Sequence, residues 1–237
     1  MTSERAAATL DLALALATAA VIAWGVLALD WSPFVVMLLF WFENVVIGGF
    51  NVAKMLATGL RLGAAGLAGA IALSAFFTVH YGLFTAVHGL FVVVLFGGAE
   101  VGRGAMDGGL AGPLAAMVDS LFAGRDGWLA VLAIVLVHLS GFVQWLARTR
   151  EAPPPLKDLM GAPYGRIVIL HVTLIASGFL VQALQAPVAG ALLLVGLKLA
   201  YDLVTLGRDR AKEEEHEARE KARRLMVTGR RQPDERP

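Results

Sequence analysis

The chain has 237 residues, of which 57% are apolar and 16% charged, with a formal net charge of +1 at pH 7. Soluble domains carry about 25% charged and about 45–50% apolar residues, so a soluble enzyme, a nucleic-acid-binding protein and a disordered regulator are excluded. With no cysteine in the sequence, disulfides, thiolate metal sites and cysteine nucleophiles are removed together.

The charge is unevenly placed. Arg208 to Pro237 hold ten Lys/Arg and eight Asp/Glu, leaving ten and eleven for the first 207 residues. Those 207 residues contain several apolar runs near the ~20 residues that span a bilayer. The expected architecture is all-α: a six-helix transmembrane domain over residues 1–207, followed by a charged cytoplasmic tail over 208–237.

The first span is expected over about 8–29. Glu4 beside Arg5, and an apolar run longer than a signal-peptide core, mark it as retained rather than cleaved. Asp30 to Pro33 break it from the second span, about 34–57, and Gly59, Gly63 and Gly66 separate the second from the third, about 67–97. Gly97 and Gly98 close that helix. The glycine-rich stretch that follows contains Pro113 to Phe122, which reads as a short helix on the membrane surface. A fourth span is expected over 127–147, and Pro153 to Pro155 precede a fifth over 166–185. A tight turn at Gln185 to Pro187 makes the sixth, about 188–206, an antiparallel neighbour. The tail beyond continues this helix with a mixed-charge, solvated face; anionic-lipid contact through Arg223, Arg224, Arg230 and Arg231 is the alternative.

Orientation follows from the basic residues. With the N-terminus cytoplasmic, seventeen of the twenty Lys/Arg fall inside, Arg103 and Arg125 fall outside, and Lys198 lies within a span. Both termini are therefore expected in the cytoplasm.

An ionisable side chain in hydrocarbon costs about 2.5–3.5 kcal/mol on insertion scales, so each needs a reason. The intramembrane set is Glu43, Asn44, Asn51, His80, His88, His138, His171, Lys198 and Asp202. At 1.5 Å per residue, Glu43 and His88 lie roughly 13 Å from the outer ends of their helices, His138 roughly 16 Å and His171 roughly 20 Å. Three imidazoles and one carboxylate at a common depth suit a divalent metal, zinc or iron, because neutral nitrogens and one anion partly neutralise the ion. Glu43, His88, His138 and His171 are the expected ligands, with Glu43 either ligand or general base. His80, eight residues from His88, is offset along its helix; it reads as a supporting group, a proton relay or part of a second site. Asn44 and Asn51 share a face and either orient metal-bound histidines or hydrogen-bond between helices. Lys198 and Asp202, four residues apart, are expected to pair.

An HExxH motif, an eight-histidine desaturase pattern and a GxxxxGK loop are all missing. His138 precedes Leu139, Ser140 and Gly141, but a rhomboid-type GxSG would need glycine where His138 stands. The leading expectation is an integral membrane metalloprotein, a metal-dependent hydrolase or oxidoreductase acting on a lipid-like substrate among membrane lipids, with metal-bound water as nucleophile in the hydrolytic case. One alternative is a single-haem b-type cytochrome, with Gly82, Gly89, Gly141 and Gly178 clearing space for the macrocycle. The other is a proton-coupled transporter using Glu43, Lys198 and Asp202.

Three strings carry a resemblance: Trp41-Phe-Glu-Asn-Val-Val-Ile-Gly48 with Phe50, Asn51, Lys54 and Met55; Phe76-Phe-Thr-Val-His80-Tyr-Gly with His88-Gly89; and Pro163-Tyr164 with Arg166, Ile167 and His171. From about Trp41 to Gly178 the chain resembles a family of bacterial and archaeal multipass membrane proteins defined only as a domain of unknown function. The resemblance implies a location in the cell (inner) membrane and groups Glu43, Asn44, His80, His88, His138 and His171 as family motif residues. It implies no activity.

Overall fold

The computed structural model describes residues 2–98, 109, 112–122, 127–150, 153–165, 167–168, 172, 191–193, 195–204 and 207. Among these the regular structure is entirely helical. In chain order the helices are α1 (Thr2–Ala28), α2 (Pro33–Arg61), α3 (Gly63–Phe96), α4 (Gly112–Phe122), α5 (Gly127–Arg148) and the short α6 (Leu156–Gly161). Residues 195–204 add a further helical segment. Among the described residues, three helices, α2, α3 and α5, are long and apolar enough to cross a membrane. The expected fifth span lies almost wholly outside the described residues, as does the tail from 208 onward.

The chain reverses sharply after α1. Asp30 adopts φ 53°, a left-handed conformation that short polar side chains tolerate, and the Trp31 N–H donates to Gly25 O at 3.0 Å. The Trp31 ring lies against Gly25, where a Cβ would stand 2.3 Å from Cε3. Ser32 then caps α2, its hydroxyl accepting from the Val35 N–H at 3.4 Å, with Pro33 at the first helical position. Serine satisfies an orphan donor there, and proline loses nothing because its missing N–H would be unpaired anyway.

The α2–α3 connection is shorter than the glycine spacing predicts. Only Leu62 separates the helices, and Gly63, at φ +80°, turns the chain. Gly59 and Gly66 belong to helices rather than to a loop. A Cβ on Gly59 would lie 2.4 Å from Ala70 Cβ and 3.0 Å from Gly66 O, so these glycines allow close backbone approach. Small residues serve that purpose at membrane helix contacts, where burial from water supplies no drive.

α2 is the axis of the described bundle: it packs on α3, α4, α5 and α6, and half of its apolar window is buried against 28% for α3 and 11% for α5. α3 runs antiparallel to it, as the pairs Trp41/Thr85 and Asn44/Tyr81 show. α5 runs parallel to α2, with Phe50 on Phe142 at 5.5 Å, Lys54 over Trp145 at 5.6 Å, and Arg61 donating to the carbonyls of Thr149 and Leu146. That guanidinium satisfies carbonyls that the end of α5 leaves open.

Two apolar clusters flank the middle of α2. One gathers Val36 to Phe40 with Val92, Met117, Leu121, Ile134 and Val195. The other joins Met55, Phe77, Tyr81, Leu159 and Ile167. α4 forms over Gly112–Phe122, close to its expected bounds, and buries Met117 and Leu121 against the bundle. Glu43 lies between the two clusters.

Candidate functional site

The site begins with Trp41 to Asn44, whose side chains point two ways. The Trp41 indole N–H donates to Thr85 O on α3 at 2.7 Å. It reaches that carbonyl because residue 89 is glycine: a Cβ there would sit 2.8 Å from Trp41 Nε1 and 2.6 Å from Met117 Cε. One turn on, the Tyr81 hydroxyl donates to Asn44 O at 3.1 Å, and Gly48 gives the phenol ring room, since a Cβ there would lie 2.7 Å from Tyr81 Cε1. These two contacts fix the rotation of α2 against α3. At 100° per residue, Glu43 is then turned from Trp41 by about 200°, towards α5 and the 195–204 helix.

Glu43 meets a cation there. Lys198 Nζ lies 3.0 Å from Glu43 Oε2 and 3.2 Å from Oε1, and 2.7 Å from Asp202 Oδ2. The side chains of Glu43, Lys198 and Asp202 are 8%, 14% and 13% exposed. One ammonium thus bridges two carboxylates carried on different helices. A buried ion pair gains from the low dielectric but loses its hydration; removing one partner is the costly change, because it strands the other.

His138 of α5 completes the group. Its Nδ1 donates to Ile134 O at 2.9 Å; a carbonyl only accepts, so Nδ1 carries a proton. Nε2 faces Glu43 Oε1 at 3.8 Å, too far for a direct hydrogen bond and close enough for a proton on either group to draw them together.

Of the expected metal ligands, the structure brings Glu43 and His138 side by side. His88 is half-buried, with Nδ1 donating to Phe84 O one turn back on its own helix at 2.7 Å. His171 lies outside the described residues. Among the described residues, no three or more His, Asp or Glu side chains are gathered closely enough to hold a metal ion.

The supporting residues have other partners. His80 is exposed and sits in an aromatic group, stacked on Phe76 at 5.5 Å, edge-on to Phe84 at 5.4 Å and 5.7 Å from Tyr164. Asn51 donates to Leu159 O at 2.9 Å, the interhelical role among its expected alternatives. Asn44 donates to Phe40 O at 2.9 Å, within α2, and its buried Oδ1 has no hydrogen-bond partner.

Sequence reasoning paired Lys198 with Asp202 and set Glu43 beside them only in the transporter alternative, without expecting a direct Lys198–Glu43 contact. The signal was present, since depth counting places Lys198 roughly 15 Å below the start of its helix, level with Glu43.

No curated protein and no solved structure matches the chain. The family model of a family of unknown function, DUF6498, matches residues 1–223, and the chain belongs to that family.

Proposed function

We propose that the protein is a proton-coupled membrane carrier for a small solute, with Glu43, Lys198, Asp202 and His138 as its protonation site. The observation that carries this reading is the single Lys198 ammonium held between carboxylates on two helices. When a proton binds Glu43, its carboxylate becomes a neutral acid, and Lys198 stays with Asp202 alone. The electrostatic tie between α2 and the 195–204 helix weakens, and loss of the proton restores it. His138 Nε2 is the proposed donor of that proton, which requires the 3.8 Å gap to Glu43 Oε1 to close to hydrogen-bond distance. Ionisable side chains within spans, facing one another inside a bundle, mark proton and substrate paths in membrane proteins.

The proposed topology has six spans and cytoplasmic termini in a bacterial or archaeal cell membrane. It draws on the basic-residue distribution and on the three helices long enough to cross.

A second reading keeps the metal. Glu43 Oε1 and His138 Nε2 face each other at 3.8 Å, and zinc or iron between them would need a further ligand, His171 being the sequence candidate. Lys198 weakens this reading, because its ammonium lies within 3.2 Å of both Glu43 oxygens, where a second cation would be repelled.

Infrared difference spectroscopy on reconstituted protein tests the proton reading. An acid step is expected to raise a protonated-carboxyl band that Glu43→Gln removes. A spectrum indifferent to Glu43→Gln would overturn it. Metal copurifying in wild type and lost in His138→Ala would favour the second reading.

A further inference from the structure

The segment after α5 turns back into the bundle. α5 ends level with the Arg61 guanidinium, which binds the carbonyls of Leu146 and Thr149. From there the chain passes through Pro153 to Pro155 and forms α6, and Leu159 O accepts from Asn51 Nδ2, ten residues up α2 from Arg61. Tyr164 then lies edge-on to Phe77 at 6.3 Å and to Tyr81 at 6.2 Å. Tyr81 itself packs on Gly48 and binds the Asn44 carbonyl. Residues 153–165 therefore climb from the end of α5 to within a turn or two of the Glu43 level.

This stretch carries charge, and its backbone leaves the helix at Pro153 to Pro155 and again at Ala162 and Pro163. Lys157 and Asp158 are exposed, as are Gly161, Ala162 and Gly165, and a Cβ built on Gly161 or Gly165 meets no atom within 4 Å. Irregular backbone at membrane depth survives only where protein buries it or water reaches it, because lipid cannot satisfy its polar groups. Exposed Lys157 and Asp158 rule out lipid on energetic grounds. The apolar side, Leu159 and Ile167, is the one turned into the protein.

We infer that residues 153–165 form a re-entrant wall lining a water-filled vestibule. It opens at the Arg61–Arg148 end and reaches the level of Asn51 and Tyr164, giving a proton or a small polar solute access from one side of the membrane. The inference rests on backbone placement and exposure, so it stands or falls apart from the chemistry assigned to Glu43.

The cysteine-free sequence permits a direct test. Gly161→Cys and Gly165→Cys, made singly in the full chain, are exposed to a charged, membrane-impermeant thiol reagent in sealed vesicles of each orientation. Val79→Cys is the control. Val79 is 73% exposed on α3, two residues from Tyr81, and apolar, so it faces lipid. Fast labelling of both glycine variants from one side only is expected, with Val79→Cys reacting only with a lipid-soluble maleimide. Glycine variants that resist the charged reagent as Val79→Cys does would overturn the vestibule, and so would equal labelling from both sides. Elution of each variant as a single detergent-solubilised peak establishes folding. One-sided labelling together with a silent Glu43→Gln spectrum would leave the vestibule standing and remove the proton reading alone.

Discussion

Lys198 Nζ lies 3.0 Å from Glu43 Oε2, joining residues 155 positions apart in the sequence. The contact ties the C-terminal helical segment to the central helix of the bundle. Replacing Lys198 with Met leaves Glu43 and Asp202 facing each other without the ammonium between them. Breaking a buried pair from one side costs about 3–5 kcal/mol, so Lys198→Met should lower the melting temperature in detergent markedly. Adding Glu43→Gln should recover part of the loss, since it removes one stranded charge. A double variant less stable than Lys198→Met would show that the pair is not coupled.

The contacts of Trp41 predict an asymmetry between two glycines of one helix. A Cβ at Gly89 would stand 2.6 Å from Met117 Cε and 2.8 Å from Trp41 Nε1, whereas one at Gly82 meets nothing within 4 Å. Gly89→Ala should cost about 1–3 kcal/mol, the usual effect of forcing extra volume into a packed site. It should also alter tryptophan fluorescence by pushing the indole off Thr85 O. Gly82→Ala should match or exceed wild type, alanine being the better helix former by about 1 kcal/mol. Equal melting temperatures for the two variants would contradict the packing described for Trp41.

Asn51 anchors the re-entrant wall through one hydrogen bond to Leu159 O. Such bonds within membrane proteins average about 0.6 kcal/mol and reach about 1.7 kcal/mol, so Asn51→Leu should melt only slightly below wild type. Its larger effect should be local. With the anchor gone, Leu159→Cys, buried in the intact protein, should become reactive to a charged thiol reagent in the Asn51→Leu background. Unchanged protection of that cysteine would show that apolar packing alone holds the wall.

These contacts mark where the sequence was informative. Asp30 to Pro33 announce the break before α2, and Ser32 and Pro33 are residues favoured at the cap and first position of a helix. Depth along a helix is also legible, from a constant rise: it put Glu43 and His138 near one level, and their side chains lie 3.8 Å apart. Rotation about the axis is not legible. It is set by Trp41 on Thr85 O and Tyr81 on Asn44 O, bonds whose partners lie 44 and 37 residues away. Hence His88 matched Glu43 in depth, while its ring is held by Phe84 O on its own helix. Glycine was ambiguous for a related reason. Gly59 and Gly66 look like loop residues by composition, yet they are contact points between packed helices, and only the partner surface distinguishes the two roles.

The electrostatics of the cluster also predict the response to chelation. Lys198 approaches both Glu43 oxygens, at 3.0 and 3.2 Å, and so fills the direction from which a divalent ion would bind. Nor do three or more His, Asp or Glu side chains among the described residues surround a common point. Stripping the purified protein with a strong chelator should therefore leave its melting temperature unchanged, and adding zinc afterwards should not raise it. A resident metal would behave otherwise, because a ligand bound only by the folded state stabilises it by about 2.7 kcal/mol when present at a hundredfold over its dissociation constant. A chelator-induced drop that zinc reverses in wild type but not in His138→Ala would transfer the site from proton chemistry to metal chemistry. The same variant separates the readings in the other direction. In a proton relay, His138→Ala should slow carboxyl protonation at Glu43 while leaving the Lys198–Glu43 contact, and hence most of the stability, in place.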